Sequence, residues 1–160
     1  NRSESHCPQV MKYKFELEIN APYALVMELR EDPENLSKWQ PELTGYASIS
    51  GDRKTVGSRS RLMYNMNGRP LEIFETITAH HPPHEFSAKY ETSGMVNRVT
   101  NRFAEVGPEA TFWQYDSEFV FTNWIMKLIG LFMSNAFRDQ SWRYMNLFKQ
   151  FVEAEYARRA

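Results

Sequence analysis

The sequence predicts an α+β fold in which a seven-stranded antiparallel sheet is folded around a long C-terminal helix, and three observations carry that prediction. Residues 12–20, KYKFELEIN, alternate strictly between apolar and charged, the two-residue period of a half-buried strand. Between Leu43 and Thr122 six further strand-like stretches follow, separated by turn signals such as Asn67-Gly68, Ser93-Gly94 and Gly107-Pro108. From Asn123 to Tyr156 the apolar residues fall at helical spacing instead.

In the first strand Tyr13, Phe15, Leu17 and Ile19 share one face, and Lys12, Lys14, Glu16 and Glu18 the other. Asn20, or the turn after it, is placed to cap a short helix through APYALVMELRED, with Pro22 in its first turn and Leu25, Val26 and Leu29 on one face. Pro33 breaks that helix and opens a second through PENLSKWQ, which Pro41 stops. LTGYASISG then runs to a Gly-Asp-Arg-Lys turn, GSRSRLMYNM to the Asn67-Gly68 hairpin, and RPLEIFETITAHH to a double proline. HEFSAKYET, MVNRVTNRFAEV and ATFWQYDSEFVFT complete the seven strands. An unbroken helix from Asn123 to Tyr156 would be about 50 Å long at about 1.5 Å per residue and would overhang the sheet. An interruption is therefore expected near Gly130 to Asn135, giving a short helix, a kink and a long helix.

A chain of 160 residues suits one domain with a sizeable core. Residues 1–10, NRSESHCPQV, read as a flexible leader without an apolar signal region, and 11–157 as the single domain. The 19 basic and 20 acidic side chains leave a net charge of −1, so no global field attracts nucleic acid or anionic lipid. Arg59, Arg61, Arg98 and Arg102 alternate along their strands as a solvated stripe, opposite in parity to the aromatics, which argues against RNA stacking on the sheet. The lone Cys7 cannot form an internal disulfide and suits a reducing compartment, so a cytoplasmic location is expected. The most apolar run, Asn123 to Met133, is too short to span a bilayer and contains Lys127. Stable membrane insertion is not expected, although transient contact is compatible with that run. Nothing in the sequence fixes an oligomeric state.

ITAHHPPHEF places His80, His81 and His84 around the double proline. Adjacent strand residues point to opposite faces, so His80 and His81 do not readily grip one ion, and no H-x-x-x-H or paired C-x-x-C supports a tetrahedral set. The segment reads as a solvent-side corner, and no metal or cofactor is expected.

The order strand, two short helices, six strands, long helix resembles the helix-grip fold of the START-like, SRPBCC superfamily, most like its polyketide cyclase/dehydrase and lipid-transport branch. The stretches that carry it are INAPYALVMELREDPENLSKWQPEL, VGSRSRLMYNMNGRPLEIFETITAHHPPHEF and IGLFMSNAFRDQSWRYMNLFKQFVEAE. The resemblance implies an apolar cavity between sheet and helix that holds a lipid, polyketide, quinone or similar molecule. It also leaves open a cyclase or dehydrase activity, or a protein-interaction module with a collapsed cavity.

Geometry reaches the same cavity independently, because a strongly curved sheet cannot lie flush on a straight helix. Parity nominates its lining: Leu62, Tyr64 and Met66; Phe86, Ala88 and Tyr90; Asn97, Val99, Asn101 and Phe103; Trp113, Tyr115, Ser117, Phe119 and Phe121. Trp39 on the second short helix and Phe132 and Phe137 near the kink join the expected ligand contacts, with Trp124 to Phe137 as a gate that bends at Gly130 and Ser134-Asn135. Inward asparagines require partners, from neighbours or from a ligand. Glu75 either faces inward with Leu71, Ile73 and Ile77 and needs a partner, or lies exposed if Phe74, Thr76 and Thr78 take the inward parity. Glu75, Tyr64 and Tyr115 are the acid/base candidates if the protein is an enzyme. The absence of a G-x-S-x-G elbow, a glycine-rich phosphate loop or a cysteine in the folded part favours a ligand-binding protein.

Overall fold

Period-two alternation becomes strand and helical spacing becomes helix throughout the computed structural model, which describes residues 9–82 and 84–160. The elements are β1 (Gln9–Ile19), α1 (Tyr23–Glu31), a 3-10 turn (Pro33–Asn35), α2 (Leu36–Trp39), β2 (Leu43–Ser50), β3 (Arg59–Met66), β4 (Arg69–His81), β5 (Glu85–Thr92), β6 (Met95–Gly107), β7 (Ala110–Phe121), α3 (Trp124–Phe132) and α4 (Ser134–Arg159). The seven strands form one antiparallel sheet in the order β1-β7-β6-β5-β4-β3-β2. Its two edges, β1 and β2, are joined through α1, the 3-10 turn and α2.

The leader expected over residues 1–10 lies outside the described residues up to position 8. Its last two residues, Gln9 and Val10, are already in β1, because β7 extends far enough to pair them with Phe121 and Val120. Asn20 does not cap α1; the chain bends at Asn20 and Ala21, Pro22 is the N-cap, and the Asn20 backbone N–H donates instead to Glu153 Oε1 of α4 at 2.8 Å. Asn67 and Gly68 both have positive φ (55° and 83°), as a two-residue hairpin turn of the twist-compatible type demands. Register shifts in β2, β4 and β6 add local bends to the sheet.

One such shift corrects the histidine reading. Inward parity on β4 runs through Glu75 and Ile77, but the irregularity between Ile77 and Ala79 turns His80 inward, opposite buried Phe86. The His80 side chain is 15% exposed, packs edge-on against Phe86 at 5.1 Å, and lies 3.6 Å from Glu31 Oε1. His81 and His84 are exposed, as expected of a corner, and Pro83 is outside the described residues. Among the described residues no three His, Cys, Asp or Glu side chains are placed to hold a metal ion. On the outer face Arg61, Arg98 and Arg102 pair with Glu72, Glu118 and Asp116.

The C-terminal helix is interrupted at Met133, between α3 and α4. Met145, Phe148 and Val152 form the buried stripe of α4 and pack with Ile19, Val26, Leu29, Phe103 and Trp113. A second cluster joins Tyr13, Phe119 and Phe121 to Met126 of α3 and Phe137 of α4. Among the described residues no helix is long and apolar enough to cross a membrane.

Gly130 is the buried residue of α3, and it is a packing position. A Cβ there would meet Phe121 Cε2 at 2.6 Å and Cζ at 2.8 Å, and Phe121 is fully buried. Alanine would add about 1 kcal/mol of helix propensity, but the overpacking penalty of about 1–3 kcal/mol outweighs it because the ring has no room to retreat. Gly130→Ala is therefore expected to lower the urea midpoint, corresponding to a net loss of about 1 kcal/mol. An unchanged or raised midpoint would show that the helix simply lifts off Phe121.

Candidate functional site

Between the curved sheet and α4 lies a cavity of about 260 Å³. The side chains that line it alternate along each wall strand, as the pleat requires: Leu62, Tyr64 and Met66 from β3, Leu71, Ile73 and Glu75 from β4, Tyr90 from β5, Asn97, Val99 and Asn101 from β6, and Trp113, Tyr115 and Phe119 from β7. Trp39 and Gln40 come from the α2 end, and Phe137, Gln140, Ser141, Tyr144, Met145 and Phe148 from α4. Arg30 of α1 and Arg53 of the β2–β3 loop complete the polar end.

Nine of the residues nominated by parity and placement are therefore on the wall: Trp39, Tyr64, Met66, Tyr90, Asn97, Asn101, Trp113, Tyr115 and Phe137. Four are not. Ser117 is buried behind the wall, its Oγ accepting from Asn97 Nδ2 at 2.8 Å. Phe86 and Phe103 are core residues that pack against each other, and their faces support the Arg30 guanidinium at 4.5 and 5.6 Å. Phe132 is 81% exposed; it stands two residues, roughly 200° of helical rotation, from the Gly130 contact and so points away from the sheet. No α3 side chain lines the cavity, so the expected gate over its mouth is absent from the wall.

Each inward asparagine has one end of its amide held by neighbours. Asn97 Nδ2 also donates to the Glu118 carbonyl at 3.1 Å, and Asn101 Oδ1 accepts from Trp113 Nε1 at 2.9 Å.

Glu75 takes the inward parity and is 1% exposed. Arg53 answers it with two bonds, Nε to Oε1 at 2.9 Å and Nη2 to Oε2 at 3.1 Å. The loop reaches in because it docks on β4: the Gly57 N–H donates to the Ile77 carbonyl at 2.8 Å, and the Ile77 N–H to the Ser58 carbonyl at 2.9 Å. Arg53 itself has φ 65°, left-handed backbone that a non-glycine residue adopts only when its surroundings hold it there. Burial opposes the Arg53 charge, but the Glu75 carboxylate prevails and raises its pKa.

The hydroxyls are tied in two groups. Tyr64 donates to Gln40 Oε1 at 2.6 Å. At the other end Ser141 Oγ lies 2.6 Å from the Tyr13 hydroxyl and 3.4 Å from that of Tyr115. Tyr144 donates to Glu42 Oε2, and Arg143 to Glu42 Oε1, both at 2.6 Å, fastening α4 to the segment after α2. Burial raises the phenols of Tyr13, Tyr64 and Tyr90, and pushes Tyr115 up to about 12. At neutral pH they are uncharged donors.

Arg30, Arg53, Gln40, Ser141 and Tyr144 were not nominated from the sequence. Arg30 follows Val26 by four residues, so it shares the buried face of α1; its charge concealed a position that the helical period assigns inward. Gln140, Ser141 and Tyr144 interrupt the inward stripe of α4 between Phe137 and Phe148, a legible sign of a polar-lined gap. Arg53 lies in a loop with no period to read.

A seven-stranded curved sheet gripping a C-terminal helix around such a cavity is the helix-grip architecture of the START-like, SRPBCC superfamily. The chain belongs to its polyketide cyclase / dehydrase and lipid transport family, whose model matches residues 11–152. Among solved structures the chain is similar to the Zhui aromatase/cyclase from a Streptomyces species, with TM-score 0.75, 12% identity, and 91% of this chain and 94% of that one covered. It is similar too to a Staphylococcus aureus protein of unknown function (TM-score 0.73, 13% identity, coverage 92% and 96%). A third similar structure is norcoclaurine synthase from Thalictrum flavum in complex with dopamine and hydroxybenzaldehyde (TM-score 0.67, 14% identity, coverage 92% and 88%). At these identities the likeness is one of fold. Comparison with curated proteins yields no match.

Two predictions follow from the charges and phenols. Arg53→Met strands a buried carboxylate and is expected to cost about 3 kcal/mol in urea unfolding, whereas Arg53→Met with Glu75→Met should recover most of that loss. A double variant no more stable than the single one would show that the pair is not what balances Glu75. For the tyrosines the folded-state pKa lies above the unfolded value, so their contribution to stability is intact below about pH 10 and is lost as pH rises beyond it. The melting temperature should fall above that pH while at least four of the eight tyrosines of the native protein are still un-ionised by absorbance; a native spectrum with all eight ionised at that onset would refute the burial-raised phenols.

Proposed function

We propose that the chain is a ligand-binding protein that holds a small hydrophobic molecule in the cavity, in contact with Trp39, Tyr64, Met66, Tyr90, Asn97, Asn101, Trp113, Tyr115 and Phe137. The observation that carries this reading is an unfilled, mostly apolar space whose acid/base candidates are already engaged with protein partners. Both Glu75 oxygens are taken by Arg53, the Tyr64 hydroxyl by Gln40, and the Tyr115 hydroxyl neighbours Ser141. A cyclase or dehydrase, suggested by the family's description and by the Zhui aromatase/cyclase, would need one of these groups free to exchange a proton with substrate. The interaction-module alternative expects a cavity closed by its aromatics, and about 260 Å³ remains open. The family's lipid-transport side fits the same reading, with the domain spanning residues 11–157 as one binding unit in the cytoplasm.

Calorimetric titration with neutral apolar probes, decanol and naphthol, tests it. Saturable one-to-one binding is expected, weakened about tenfold or more by Val99→Phe, which places a ring in the cavity from the middle of β6. Absence of binding, or equal affinity in Val99→Phe when that variant melts as a folded protein, would defeat the proposal.

A further inference from the structure

We propose that the cavity selects an amphipathic anion, a carboxylic acid with an apolar body, whose carboxylate is received by Arg30 and Tyr90. The inference rests on the cavity-binding reading and gives the ligand's head group a chemical class.

Arg30, Arg53, Glu75, Tyr90 and Asn101 line both the main cavity and a small cleft of about 40 Å³ that runs towards His80, so they form the partition between the two. The partition carries two cations and one anion. Arg53 and Glu75 neutralise each other through paired hydrogen bonds. Arg30 is left over.

The acceptors facing Arg30 from its own helix, β4 and β6 are otherwise occupied, and Tyr90 of β5 faces it without a bond between them. On its own helix, Glu31 is directed to Lys54 at 3.5 Å and His80 at 3.6 Å. From β4, Glu75 belongs to Arg53; from β6, the Asn101 oxygen belongs to Trp113 Nε1. What remains is the ring faces of Phe86 and Phe103, which attract a guanidinium but accept little from its N–H groups. Among the described residues Arg30 has neither a salt bridge nor a side-chain hydrogen bond. Burial accordingly pushes its pKa down.

A guanidinium presents five donors in a planar fork, and a carboxylate matches that fork with two acceptors. Beside it the Tyr90 phenol, kept protonated by burial, has no hydrogen-bond partner among the described residues and adds a third donor. All three donors suit an acceptor group, and the surplus positive charge suits an anion. Beyond the partition the wall turns apolar at Leu62, Leu71, Ile73 and Phe119, where a hydrocarbon body would lie.

Binding of decanoate, methyl decanoate and decanol to the full chain at neutral pH separates the parts of the claim. Decanoate is expected to bind about tenfold or more tightly than either neutral probe, and in Arg30→Met the acid-to-alcohol ratio should collapse to about one. Arg30→Lys should keep part of the preference. Equal affinity for the three probes in the unmodified protein would overturn the anion site while leaving the cavity reading intact. A preference that survives Arg30→Met would overturn it as well. If none of the three binds, the cavity reading fails and this inference with it. The three-probe comparison needs no variant, so it decides even where Arg30→Met does not fold.

Discussion

The pleat of a curved sheet is the constraint on which the interior depends. Period two admits no exceptions within a regular strand, so once Leu71, Ile73 and Ile77 face α4, Glu75 must face it too. A buried carboxylate then requires a cation, and no strand neighbour supplies one. The β2–β3 loop does, folding back onto β4 and accepting left-handed backbone at Arg53 to deliver the guanidinium. The ion pair, the loop conformation and the polar end of the cavity are thus successive consequences of one strand's parity.

The cavity survives because apolar packing is placed on either side of it. Phe137 and the Phe119–Phe121 cluster hold α4 near its N-terminal end, and Met145, Phe148 and Val152 hold it further on. Between them α4 presents Gln140, Ser141 and Tyr144, which gain little from contact with an apolar sheet. Collapse would bring those amides and hydroxyls, together with Glu75 and two arginines, against Leu62, Val99 and Phe119. The desolvation cost of that arrangement opposes the hydrophobic gain from closing the space.

Legibility in the sequence followed periodicity. Strands whose two faces differ sharply, such as Trp113 to Phe121 against Phe112 to Glu118, could be oriented from residue order alone, and with them most of the cavity wall. Three kinds of residue escaped. Arg53 sits in a loop, where side-chain direction has no period. His80 follows an irregularity that reverses parity, so a strict period of two carried along β4 from Glu75 assigns it the wrong face. Phe132 lies on a helix that is apolar nearly all round, and there hydrophobicity cannot choose a contact face; Gly130 chooses it, because only the residue without a side chain lets the helix approach the Phe121 ring.

That close approach links the exposed helix to the cavity it does not line. α3 rests on Phe121 through Gly130, and Phe121 stacks on Phe119 at 6.2 Å and meets Phe137 at 5.9 Å. Phe119 and Phe137, 5.1 Å apart, belong also to the cavity wall. The same pair of rings therefore has the cavity on one side and the support of α3 on the other. Trp124, Leu131 and Phe132 leave 71%, 62% and 81% of their surface exposed, so outward contacts contribute little to holding α3 in place. Its inward support is Met126 and Gly130 on three phenylalanine rings, and two of those rings are the ones an occupant of the cavity would touch.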